Sequence, residues 1–198
     1  MQPTPLATQL REDARNEVPP FGAESGRIAR QLGTAATATL VEHIDARGDT
    51  AFLALEALRE ADPGAYDRIP AEERAEIYVN ALSHNLFYNA WGLPRYALTA
   101  TADALISLGD EAVRTLQPLL SDRREAPLSG SEDATTSTRY ANRVCDYAWV
   151  FISEIKQRPY TYAESPSVRD AEIARLQREL EGTRSPGSQT SDETSDRR

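Results

Sequence analysis

The chain has 198 residues, enough for one domain with a core of its own, and its 40% hydrophobic and 27% charged residues are ordinary for a soluble globular sequence. A formal net charge of −9 disfavours non-specific binding to nucleic acid or to an anionic membrane, and fits solubility or a basic partner. No run approaches the roughly 20 apolar residues of a membrane span, and the single cysteine, Cys145, allows no internal disulfide, as expected in a reducing cytoplasm.

The first stretch, Met1-Gln2-Pro3-Thr4-Pro5-Leu6, has neither a basic region nor an apolar core, so no signal peptide is expected. Within residues 1–22, Leu6, Leu10 and Ala14 are spaced for a short helix that Pro19-Pro20 stops, giving an N-terminal arm or cap. Ile28, Ala29 and Leu32 mark a helix that ends at Gly33. Two helices, Thr34–Ala46 and Asp49–Ala61, follow around Arg47-Gly48, and Asp62-Pro63-Gly64 is a strong break. Pro70 suits the first turn of a helix running to about Tyr88, before Trp91-Gly92-Leu93-Pro94. Its expected partner is Tyr96–Leu108. Next comes Asp110–Leu120, in which Pro118 should kink the last turn or end it early. A polar connection at 121–138 precedes a helix at Thr138–Lys156. Ser165-Pro166 opens a last helix carrying Ile173, Leu176 and Leu180 and ending at Gly182. Residues 183–198 hold nothing aliphatic and read as a disordered tail. No segment reads as a convincing strand; Tyr160-Thr161-Tyr162 reads as a short extended piece.

One pattern occurs twice. Leu32-Gly33-Thr34-Ala35-Ala36-Thr37-Ala38-Thr39-Leu40 and Leu108-Gly109-Asp110-Glu111-Ala112-Val113-Arg114-Thr115-Leu116 both read L-G-x-x-A-x-x-x-L, each with an aliphatic residue further on (Ile44, Leu120). The leading leucines lie 76 residues apart, about twice a unit of roughly 38–40 residues, the range of two-helix repeats. Glycine ends one helix in a left-handed conformation, and Thr34 or Asp110 is placed to cap the next. Ala36, Leu40 and Ile44 then form one stripe. These joints resemble the helix-pair units of HEAT-type α-solenoids, over about Ala23 to Leu180. The resemblance implies an all-α solenoid of about three antiparallel helix pairs over 23–182, with capping helices at both ends. A four-helix bundle with extra helices is the rival architecture.

The chemistry-bearing residues are few. His43 and His84 are far apart with no cysteine or second histidine near either, so a histidine metal site has little support. Cys145 lies in an apolar helix and reads as a small core residue. Phosphate-cradling glycine motifs are lacking, and no cofactor is expected. The richest constellation is His84, Tyr88, Trp91, Arg95 and Tyr96, where aromatics, an imidazole and an arginine converge on one inter-helix turn. It reads either as a recognition patch or as Trp91 and Phe87 plugging the joint. Arg139 and Arg143, four residues apart after the 121–138 connection, are placed to pair with its acids or to meet an anionic ligand. Arg169, Glu172, Arg175, Arg178 and Glu179 read as a solvated helix face.

A non-catalytic scaffold for a protein or peptide partner is therefore the leading expectation, since stacked helix pairs present an extended concave surface. The alternative is a HEAT-type enzyme, either a lyase acting on a small ligand or a nucleic-acid glycosylase, the latter disfavoured by the negative charge.

Overall fold

The computed structural model describes residues 4–84, 88–94, 96–128 and 138–182. The expected 183–198 tail and the Ser129–Asp133 part of the long connection lie outside them. The regular structure of the described residues is helical except for one hairpin of two short strands: α1 (Pro5–Arg15), α2 (Glu24–Leu32), α3 (Thr37–Asp45), α4 (Ala51–Ala61), α5 (Pro63–Arg68), α6 (Ala71–Ser83), α7 (Tyr88–Trp91), β1 (Gly92–Leu93), β2 (Ala97–Leu98), α8 (Ala100–Ile106), α9 (Asp110–Leu116), α10 (Val144–Ile155) and α11 (Pro166–Gly182).

The N-terminal segment is tied into the body. Thr4 caps α1 by accepting the Ala7 N–H at 3.2 Å, with Pro5 in the first turn. Leu6 and Leu10 are buried against α2, α3 and α4. Asp13, also buried, accepts the Ser25 N–H at 2.8 Å and so satisfies a donor at the start of α2 that has no partner within its own helix.

The duplicated joints share one backbone geometry. Gly33 stands at φ 54°, ψ −135° and Gly109 at φ 62°, ψ −131°. This is positive φ with a strongly negative ψ, not the left-handed helical well the sequence predicts. Nor do Thr34 and Asp110 cap: neither helix start has a side-chain cap bond, and Asp110 instead accepts Lys156 Nζ at 2.7 Å. The stripes behave alike, since Ala36, Leu40, Ile44 and Ala112, Leu116, Leu120 are all buried. The leading leucines do not: Leu32 is 48% exposed, whereas Leu108 packs against the core. A Cβ at Gly33 or Gly109 would meet nothing within 4 Å, so substitution there is penalised by backbone conformation alone. Gly33→Val and Gly109→Val are expected to destabilise by similar amounts, about 1–3 kcal/mol each in urea melts. A neutral effect at either position would show that the joint does not need positive φ.

Packing around the two joints also corresponds. Helices α2 and α3 both pack on α4, and α8 and α9 both pack on α10. Every residue from Ala51 to Leu58 in α4 and from Val144 to Ser153 in α10 is buried, as befits helices surrounded on all sides. Between the two groups, α6 packs chiefly on α9 and less on α8, its expected partner. The expected Tyr96–Leu108 helix is shorter than its pattern. Its first residues form β2, antiparallel to β1 with Gly92 opposite Leu98 and Leu93 opposite Ala97, and α8 starts only at Ala100, capped by Thr99. Gly92 permits the hairpin because at φ 82° an added Cβ would lie 2.4 Å from the Ala97 carbonyl oxygen. Pro118 acts as expected: α9 stops at Leu116 and a tight 3₁₀ turn continues over Gln117–Ser121.

Candidate functional site

The turn that carries the predicted constellation is divided by the fold. Trp91 is 0% exposed. It stacks on Phe52 of α4 (centroids 5.6 Å apart, planes at 26°), meets Tyr78 of α6 edge-on at 6.2 Å, and touches Phe151 of α10 at 5.9 Å. Trp91 therefore joins the two buried central helices and presents nothing to a partner, so its place among the binding residues is corrected. Tyr96 stays at the surface, 60% exposed. The Tyr88 side chain and all of Arg95 lie outside the described residues. His84 is exposed at the end of α6, and its Nδ1–H donates to the Asn80 carbonyl at 2.7 Å.

His84 belongs to a cleft of about 360 Å³ between the α3–α4 turn and α6. Ala51, Phe52, Ile77 and Ala81 give it buried apolar walls, while Arg47, Asp49, Glu76, Asn80 and His84 form its polar rim. Arg47 is committed to acids, with Glu76 at 2.7 Å and Glu73 at 3.5 Å. Asp49 is exposed and makes no ion pair or side-chain hydrogen bond among the described residues. Acidic groups thus outnumber basic ones at the rim. The sequence held no sign of this site: Arg47-Gly48 reads as a break and Asp49 as a helix start, and only the tertiary packing of α4 on α6 sets them opposite Glu76 and Asn80.

Arg139 and Arg143 are both ion-paired. Arg139 pairs with Glu164 at 2.5 Å. Arg143 pairs with Asp146 and Asp170, both at 2.9 Å; Glu132 and Asp133 of the preceding connection lie outside the described residues. Asp146 is the hub of this cluster: it also accepts the Arg143 backbone N–H at 3.0 Å and Arg169 Nη2 at 3.0 Å. Arg169, read from the sequence as a solvated residue, is 0% exposed. Its guanidinium also donates to the carbonyls of Ala163, Glu164, Tyr140 and Ala141 and covers the Tyr162 ring at 4.9 Å. A signal existed, because Arg169 is in helical phase with the apolar Ile173, Leu176 and Leu180.

The remaining reactive groups are sealed. Burial, with the Asp146 charge beside it, pushes the Cys145 thiol up from its ordinary value, and Arg123 Nη1 lies 3.1 Å from its sulfur. A buried thiol of raised pKa is a poor nucleophile. Glu56 on α4 accepts four bonds, from Tyr78 at 2.7 Å, Thr101 at 2.5 Å, and Arg59 Nε and Nη2 at 3.0 Å each. With its lone pairs so used, this carboxylate pins α4, α6 and α8 together and offers no base to a substrate. Burial and the Glu56 charge push the Tyr78 phenol well above its ordinary value, so it stays a donor. His43 is buried and bonded through Nδ1 to the Thr39 carbonyl at 3.0 Å. Among the described residues no group of three His, Cys, Asp or Glu side chains is placed to hold a metal ion.

No family model, curated protein or solved structure matches the chain. No described helix is long and apolar enough to cross a membrane. The functional reading rests on the geometry of this chain alone.

Proposed function

We propose that the protein is a non-catalytic interaction module, a HEAT-like helical repeat, whose partner inserts a cationic side chain into the cleft between the α3–α4 turn and α6. The observation that carries the reading is that cleft: about 360 Å³, with apolar walls from Ala51, Phe52, Ile77 and Ala81 and a rim where Asp49 has no ion pair among the described residues. A lysine or arginine suits both halves, since its stem covers apolar surface while its head meets a carboxylate. The chain-wide charge of −9 would draw a basic partner in and speed its encounter. The repeat assignment is supported by the matching dihedrals at Gly33 and Gly109 and by the parallel docking of α2 and α3 on α4 and of α8 and α9 on α10. The capping helices of that assignment would be α1 and α11, and the partner is a protein or peptide, not nucleic acid or membrane.

Titrating the isotope-labelled protein with a lysine-rich peptide, and separately with a glutamate-rich one of equal length, tests this. The lysine peptide is expected to shift the amides of Asp49, Phe52, Ile77, Asn80 and His84. The shifts should weaken as salt rises and be lost in both Asp49→Lys and the cleft-filling Ala81→Trp. Equal response of the cleft amides to the two peptides, or cleft shifts that survive both substitutions, would overturn the cleft as the seat of the partner.

A further inference from the structure

The chain between α10 and α11 has an unusual standing. Tyr160 and Tyr162 both pack on Trp149 of α10, at centroid distances of 5.5 and 5.9 Å, while Pro159 and Thr161 between and before them are exposed. Side chains two apart on one side, with the intervening residue outward, are the alternation of an extended strand. Yet nothing pairs with this strand. Among the described residues, the peptide N–H groups of Tyr160, Thr161, Tyr162 and Ala163 and the carbonyls of Tyr160, Thr161 and Tyr162 make no hydrogen bond to protein. The aromatic pair on one face, the Arg169 bonds to the Ala163 and Glu164 carbonyls at 2.7 and 2.8 Å, and the Arg139–Glu164 pair hold the segment in place. It borders an open groove of about 690 Å³ whose other wall is Pro94 in the β1–β2 turn.

We infer that residues 159–163 are a pre-formed strand edge that binds an extended, basic peptide segment of a partner protein by β-addition. The incoming main chain would satisfy the open peptide groups on the edge it joins, in the ladder pattern that strand addition uses. The charge of the occupant follows from Glu154. It accepts the Tyr160 hydroxyl at 2.7 Å but has no cationic partner among the described residues, so a lysine or arginine on the added strand would find an unpaired carboxylate beside it. A second copy of this chain, at a net charge of −9 each, is the poorer occupant because like charges oppose the approach. This inference does not depend on the α3–α4/α6 cleft, which involves different residues and a side chain in place of a main chain.

The test uses the full chain and a fluorescein-labelled eight-residue peptide alternating threonine with lysine. Saturable binding is expected, with amide shifts at residues 160–163. Methylating the peptide's backbone nitrogens at one alternate set of positions should weaken binding by about ten-fold or more, because those N–H groups face the protein. Methylation at the other set should be tolerated, because a strand presents alternate N–H groups to opposite edges. Glu154→Gln should weaken the lysine peptide by about two- to three-fold, the scale of an exposed ion pair. Asp49→Lys should leave the amide shifts at 160–163 unchanged while removing any at Asp49, Ile77 and His84, which separates this site from the cleft. Equal loss from both methylation sets, absence of saturable binding, or concentration-dependent dimerisation that the peptide does not compete would each overturn the inference.

Discussion

Trp91→Ala is expected to cost about 3–5 kcal/mol of stability in a denaturant titration, the range for removing a large, fully buried aromatic side chain. The magnitude is set by position. The indole lies between Phe52, Tyr78 and Phe151, so it fills the junction between the two buried central helices, and neither helix can move across to close the space without unpacking its other neighbours. Trp91→Phe should be far milder. The indole Nε1 has no hydrogen-bond partner, so the substitution removes a buried, unsatisfied donor along with some packing. Both Trp91 and Trp149 are buried; fluorescence of the native protein should therefore be blue-shifted and protected from a soluble quencher. A near-zero loss for Trp91→Ala, or easy quenching of the Trp91 signal in Trp149→Phe, would contradict the placement of Trp91 at the junction.

Arg169→Ala is expected to be as damaging, about 3–5 kcal/mol, because breaking a buried ion pair leaves the other charge uncompensated. Asp146 and Arg169 are both 0% exposed and 3.0 Å apart. Removing the guanidinium also strips donors from four carbonyls around the start of α10 and the start of α11. Arg169→Lys should recover little, since an ammonium cannot reach five acceptors with the planar fork of a guanidinium. The double variant Asp146→Leu/Arg169→Met should lose less than the two single losses added together, since no unpaired charge remains. Strict additivity in that cycle would show that the two side chains do not act as a pair. Because Arg169 also holds Ala163 and Glu164, Arg169→Ala should loosen residues 159–163, seen as faster amide exchange there than in α4.

How the helices divide the chain was legible from local chemistry. Pro5, Pro63 and Pro166 each stand in the first turn of a helix, and Pro118 ends α9. Period-3.6 stripes such as Ala36-Leu40-Ile44 announced a buried face, and the repeated glycines announced breaks at positive φ. Burial of Trp91 was legible too, because apolar residues approach the joint from both sides. The ends of α3 and α10 fall within one residue of the expected Ala46 and Lys156. Glu17, Arg47 and Gln157 take positive φ after α1, α3 and α10, a position glycine more often fills.

The properties that could be read along the chain are local: which segments are helical, which faces are apolar, and where the backbone must break. Those properties depend on neighbours within about one helical turn, and such neighbours can be read along the chain. The roles of polar groups were set by packing between distant segments. Arg169 and Arg175 look alike in the sequence; one is buried on Asp146 and the other pairs with Glu172 at the surface. Asp49 and Glu56 are both acids near one turn; one rims an open cleft and the other is closed off by Tyr78, Thr101 and Arg59. Tyr160-Thr161-Tyr162 was legible as extended, but its unpaired peptide groups were not, because a strand's partner is a distant segment or another chain. A charge or a peptide group acquires its function from what faces it in space, and packing of helices distant in sequence sets that.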